Sequence, residues 1–159
     1  RYDIWDASVA SPHRRHHVWW LRYGRLNVAA MQAAAAHFVV GELDYSSFRA
    51  VGCDSVSVNR CLWRIDVERV EPSLVRISVE GNAFLRNMVR ILAGTLADVG
   101  HGRRTPDDIP RILAARDRRA AGPTAPPQGL TLVEVFYDPP VGERPVPSGA
   151  AMFTRKPRL

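Results

Sequence analysis

Lysine is almost missing from this chain: 21 arginines stand against the single Lys156. Cysteine is nearly as scarce. Cys53 and Cys61 form neither a disulfide framework nor a C-x-x-C pair, so a reduced, cytoplasmic setting is the expectation. No apolar run reaches the ~18 residues that a membrane span requires, so no membrane partner is expected. Internal repeats and low-complexity blocks are lacking as well, which excludes a solenoid or a linker-dominated chain. What remains is one ordinary domain of 159 residues with 46% hydrophobic and 24% charged side chains.

The charge is +6 and the pI about 10.1, carried almost wholly by guanidinium groups. Guanidinium is the better fork for phosphate, and a basic surface suits a polyanionic partner. Richness in Ala, Val and Arg is also what a GC-rich genome yields, so charge alone leaves nucleic-acid binding open.

The order of patterns along the chain is informative. RYDIWD reads as a short strand. After the loop SPHRRHHVWWLRYGR, Asn27 is the expected cap of an alanine-rich helix running to Gly41, with Met31, Ala34, Ala35 and Phe38 facing inward. ELDYSSFRA reads as a loop or single turn. VSVNRCLWRIDVERV alternates, placing Cys61, Trp63, Ile65 and Val67 on one side and Arg60, Arg64, Asp66 and Glu68 on the other. A turn at EPS leads into LVRISVE, a hairpin with Val75, Ile77 and Val79 inward. GNAFLRNMVRILAGTLADVG reads as one helix over 81–100, TPDDIPRILAARD as a shorter helix capped by Thr105, and GLTLVEVFYD as a closing strand. The order β-α-β-β-α-(α)-β is the split βαβ pattern, an α+β fold expected to have an antiparallel sheet with helices on one face. Residues 1–138 form the expected domain; residues 139–159, rich in proline and arginine, are expected to be a mobile tail.

The 81–100 stretch poses a problem. Phe84, Leu85, Met88, Val89, Leu92, Thr95, Leu96 and Val99 fill one arc, while Arg86, Asn87, Arg90, Gly94 and Ala97 occupy the other. Gly94 costs about 1 kcal/mol against alanine in a helix. Small residues beside Arg90 imply that another surface approaches closely there, and a packed arginine needs an anion. The plainer alternative is a solvated arginine beside a tolerated glycine.

These residues resemble a known family. GNAFLRNMVRILAGTLADVG is similar to the F-L-x-x-M-V-R-x-x-x-G-x-L-x-x-V-G signature of the tRNA pseudouridine synthase A family. GELDYSSFRA resembles its G-x-x-D-F-x-x-F-R-A. ILAARDRRAAGPTAPPQGLTLVEVFY resembles its I-L-x-x-x-D-R-x-x-A-G-x-T-A-P-x-x-G-L-x-L-x-x-V-x-Y. The likeness runs in order from residue 1 to about 138, and RYDIWD is similar to the second half of a family strand reading R-x-Y-x-Y.

The resemblance implies conversion of uridine to pseudouridine in the anticodon stem-loop of tRNA, without a cofactor, by a homodimer. It implies that Arg90 pairs with a nucleophilic aspartate and that Leu130 lines the uracil pocket. That aspartate belongs to an N-terminal R-T-D-x-G-V-H-A, which has no counterpart here. Asp98-Val99-Gly100-His101 lies at a helix end and lacks the preceding Arg-Thr. The active-site tyrosine would fall just before Arg1, and Tyr2 matches a structural tyrosine. The expectation is a C-terminal domain without its nucleophile, inactive alone; the alternative is a noncatalytic RNA-binding or dimerising module of the same fold. Arg14 and Arg15 are candidate phosphate contacts, and Arg49 either touches RNA or anchors its loop. His13, His16 and His17 read as surface residues rather than a metal site. Arg116, Arg118 and Arg119 read equally as a solvated face or a backbone-contact cluster. Trp5, Trp19, Trp20 and Trp63 read as core or interface before they read as base-stacking platforms.

Overall fold

A computed structural model describes residues 1–22 and 24–136. Among them the chain forms β1 (Tyr2–Trp5), β2 (Trp19–Trp20), α1 (Val28–Ala36), β3 (Glu42–Asp44), β4 (Asn59–Glu71), β5 (Leu74–Gly81), α2 (Met88–Gly100) and α3 (Asp108–Ala115), with single 3-10 turns at Ser46–Phe48 and Pro127–Gly129. The strands make one sheet in the order β2-β1-β5-β4-β3. The expected α+β class holds, and the alternating segments pair as the expected hairpin, closed by Pro72 and Ser73.

The sheet is mixed rather than wholly antiparallel. β1 pairs antiparallel with β5 but parallel with β2, which had been part of an expected loop. A parallel pair needs a long connection, and residues 6–18 supply it. Trp19 then packs edge-on against Tyr2, their ring centres 6.3 Å apart.

A second departure lies in β4. The register slips between Leu62 and Arg64, so Trp63 is the extra residue of a bulge. Leu62 therefore takes the core position beside Ile65 and Val67, and Trp63 turns half-buried toward the opposite face.

The expected closing strand is reduced to a single antiparallel bridge between Tyr2 and Leu130, followed by a Thr131 N–H donating to the Arg1 carbonyl at 2.9 Å. Tyr137 and Asp138, like the tail over 139–159, lie outside the described residues.

The helices cover one face of the sheet. Asn27 caps α1 as expected, its Oδ1 accepting from the Ala30 N–H at 3.1 Å. The helix stops at Ala36 rather than Gly41, yet Met31, Ala34, Ala35 and Phe38 are all buried as anticipated. Within ELDYSSFRA, Tyr45 and Phe48 drop into the core against Phe38, and the Tyr45 hydroxyl donates to the Phe38 carbonyl. Ser47 ties α3 in place, donating to the Ile112 carbonyl and accepting from the Asp117 N–H. The Thr105 side chain does not accept at the start of α3: its carbonyl takes the Asp108 N–H, while its own N–H and hydroxyl donate to the Asp108 carboxylate.

The buried pair at the end of β1 is a stability prediction. Asp6 accepts from both ends of the Arg69 guanidinium at 3.0 and 2.8 Å and from the Leu26 N–H at 3.0 Å. Burial pushes this carboxyl up, but the bonds from Arg69 and Leu26 outweigh it and hold it below the usual carboxylate range. A depressed folded-state value means the stabilisation is present above the unfolded value, near pH 4, and is lost as pH falls through the folded one. Asp6→Asn should cost about 2–4 kcal/mol at pH 7, because Arg69 is left short of an anion. Urea unfolding at pH 7 and pH 3 checks both points: the variant is expected to lose less stability on acidification than the parent.

Candidate functional site

Helix α2 starts later than its apolar arc suggests. The Asn82 Oδ1 accepts from the Cys61 and Ala83 N–H groups at 3.0 and 2.8 Å, holding the chain to β4 where a helix was expected. Residues 82–86 run as a loop, tied to residues 50–52 by the Ala50 N–H on the Arg86 carbonyl and the Arg86 guanidinium on the Gly52 carbonyl. Phe84, expected in the inward arc, is instead 41% exposed, whereas Leu85 is buried. The helix begins at Met88, preceded by Asn87 in the left-handed region at φ 61°.

The body of α2 is buried nearly all round. The surface that approaches Gly94 is the chain's own segment 121–126. A Cβ on Gly94 would lie 1.9 Å from the Pro123 carbonyl oxygen, and one on Gly122 would lie 2.7 Å from the Thr95 Cα. The Gly122 N–H donates to the Thr95 hydroxyl, which donates in turn to the Ile91 carbonyl. Arg118 holds the same segment from outside, through the Gly122 carbonyl and the Thr124 hydroxyl. The strap thus explains the two glycines and the threonine together.

Arg90 fastens the strap at its far end. Its backbone carbonyl accepts from the Ala125 N–H at 3.1 Å, and its Nε donates to the Ala125 carbonyl at 2.7 Å. One terminal nitrogen donates to the Asn87 Oδ1 at 2.9 Å. Among the described residues the other makes no hydrogen bond, and no carboxylate lies within 4.0 Å of this guanidinium. Arg90 is half-buried at the edge of a concavity of about 820 Å³, whose lining includes Arg1, Trp63, Arg76, Phe84, Asn87 and Leu130. The strap carries Leu130 to that rim, where it is 42% exposed.

Tyr2 fixes the other side of Leu130. Its buried hydroxyl donates to the Pro126 carbonyl at 2.6 Å, and its ring leaves no room for a Cβ on Gly129. Burial pushes this phenol far above its ordinary value, with the Arg90 charge pulling the other way. Tyr2 is therefore a neutral donor and a support.

The remaining candidates are dispersed. Arg49 donates to the Cys53 carbonyl, anchoring its own loop. Arg14 pairs with Glu71 at 3.0 Å and lies over the Trp5 ring. Arg15 donates to His16 and lines a separate shallow cleft with Trp19, Trp20, Pro126 and Gln128. Arg116 pairs with Asp44 and Arg119 with Asp117. Asp98 pairs with Arg103 and Arg104, apart from Arg90. Among the described residues no group of three His, Cys, Asp or Glu could hold a metal ion. No described helix is long and apolar enough to cross a membrane.

The arrangement offers an oriented cation at the mouth of a partly apolar hollow, suited to a carboxylate and a planar ring. A family model described as tRNA pseudouridine synthase matches residues 34–138. The chain is 51% identical over 137 residues to a protein named tRNA pseudouridine synthase A from Geotalea uraniireducens, covering 86% of this chain and 55% of that protein. A Myxococcus xanthus protein of the same name is 46% identical over 137 residues, covering 86% of this chain and 51% of that protein. The chain spans about half the length of the curated relatives it matches.

Proposed function

This chain belongs to the tRNA pseudouridine synthase A family, and from that premise we propose that it forms the arginine-bearing wall of a tRNA pseudouridine synthase. The observation that carries this reading is Arg90, pinned by Ala125 and Asn87 with one terminal nitrogen unbonded among the described residues, lining the concavity together with Leu130.

The reaction is an isomerisation, so its atoms balance without a cofactor. The bond from ribose C1′ to uracil N1 breaks, a bond from C1′ to C5 forms, the proton leaves C5, and N1 takes one up. A carboxylate nucleophile makes the separation feasible by holding the parted fragments. In a hollow closed over by RNA that carboxylate is poorly solvated and drifts toward its neutral form; a guanidinium at hydrogen-bond distance keeps it charged and aimed. The aspartate is supplied from outside the described residues, in a segment resembling R-T-D-x-G-V-H-A. The target uridine is swung out of its stack, and Leu130 packs against the base. Arg14 and Arg15 contact backbone phosphates, while Arg49 anchors its own loop through the Cys53 carbonyl. The enzyme acts in the cytoplasm as a homodimer on the anticodon stem-loop.

The substrate region is tested with an unmodified tRNA transcript, mapping pseudouridine by carbodiimide-blocked primer extension. Conversion confined to anticodon stem-loop uridines is expected. Conversion elsewhere in the tRNA overturns the region, and no conversion by the synthase overturns the reaction.

A further inference from the structure

The residue before α2 is spent in an unusual way. Asparagine at a helix N-terminus ordinarily takes an extended backbone and accepts from an N–H in the first turn. Asn87 does neither: its φ is 61° and ψ 7°, and it makes no side-chain cap bond. Its Oδ1 accepts instead from Arg90, three residues on. Only one other described non-glycine residue has a positive φ, Arg116, and it ends a helix, where the left-handed conformation is commonplace. At a helix start the same conformation is unexplained by helix geometry and points toward the site.

We infer that Asn87 is a positioning residue for Arg90, its left-handed backbone aiming the side-chain amide so that the guanidinium plane is fixed before the carboxylate arrives. The inference rests on the proposed role of Arg90. With the Ala125 carbonyl as its only partner, the guanidinium could pivot about the Nε–H···O direction. The second bond, from a terminal nitrogen to Asn87, removes that freedom and leaves the other terminal nitrogen for the incoming anion. Asn87 is itself held: the Met88 N–H donates to the Leu85 carbonyl, and Arg86 is tied to Ala50 and Gly52 on both its backbone and its side chain. Asn87 touches no reacting atom; it acts through Arg90.

Two variants in the complete synthase, this chain joined to the aspartate-bearing segment, separate positioning from backbone tolerance. Asn87→Gly keeps the left-handed conformation and removes the acceptor, whereas Asn87→Ala removes both. Positioning predicts that Asn87→Gly melts at or above the parent temperature, yet loses roughly 10- to 100-fold in kcat with KM for tRNA unchanged. Asn87→Ala should lose both stability and kcat. A merely structural Asn87 gives a fully active glycine variant, which overturns the inference; so does an equal loss in kcat and tRNA binding. A second readout does not depend on activity. In 15N NMR the Arg90 terminal nitrogens should be distinct in the parent, from hindered rotation, and averaged in Asn87→Gly. Distinct signals retained in the variant overturn the inference even if the synthase is active. An inactive parent with this signature present, and lost in the variant, overturns the synthase reading and supports the positioning role.

Discussion

Replacing Arg90 with alanine in the complete synthase is expected to lower pseudouridine formation by roughly 100- to 1,000-fold, the range seen when one preorganised donor is removed from a reacting centre, with tRNA affinity barely changed. The asymmetry follows from where Arg90 sits. It lies on a rim with Leu130, half-buried and clasped by its own chain, not on the open basic loop that carries Arg14 and Arg15. A group that only keeps a nucleophile ionised and aimed contributes to the transition state rather than to binding. The same substitution carries a structural cost. Ala125 is 1% exposed, and its carbonyl would lose the Arg90 donor. An unsatisfied buried carbonyl costs about 1–3 kcal/mol, so the kinetics must be compared well below the melting temperature of the variant. Arg90→Lys sharpens the test: an ammonium keeps the charge but not the planar fork that serves Ala125, Asn87 and a carboxylate together, and should recover little of the lost rate. Equal losses in binding and turnover would make Arg90 an ordinary phosphate contact.

Gly94→Ala is expected to destabilise the chain by about 2 kcal/mol or more, in the upper part of the usual range for overpacking. Helix propensity alone argues the opposite, since alanine is favoured over glycine by about 1 kcal/mol within a helix. The contact decides the sign. The added Cβ would sit 1.9 Å from the Pro123 oxygen and 2.9 Å from its carbonyl carbon, and this neighbour is backbone, with no rotamer to yield. Relief requires the strap to lift, which gives up both Arg90–Ala125 bonds and the Gly122–Thr95 bond. Chemical denaturation should show a lower midpoint, and turnover should fall with it as Leu130 moves from the rim. An unchanged or raised midpoint would mean that the strap does not lie against Gly94.

What could be read from the sequence was local. Asn27 and the stripe of Met31, Ala34, Ala35 and Phe38 reflect a cap and a helical period, and both survive folding. The β4–β5 hairpin was legible for the same reason, being alternation on either side of a tight turn. The failures are non-local. Phe84 and Leu85 prolong the apolar arc of α2, but the amide of Asn82 reaches Cys61 on another strand and delays the helix to Met88. The bulge at Trp63 depends on which residue opposes Gly81, and alternation cannot specify that. Gly94 marked a close approach; that the approaching surface is the chain's own segment 121–126 is decided by tertiary packing. Arg90 and Leu130 were singled out as candidates by ordered motifs. Asn87 escaped because its left-handed backbone leaves no trace in periodicity.

We propose these residues as the arginine and base-binding wall of a pseudouridine synthase whose nucleophile lies elsewhere. The direct measurement is pseudouridine formation on an unmodified tRNA transcript, by this chain alone and by the chain joined to a segment carrying R-T-D-x-G-V-H-A. Activity in the joined protein only, abolished by changing that aspartate to asparagine, is the expected result. Turnover by the chain alone would contradict it and move the search for a nucleophile to Asp3, Asp6, Asp44 and Asp54.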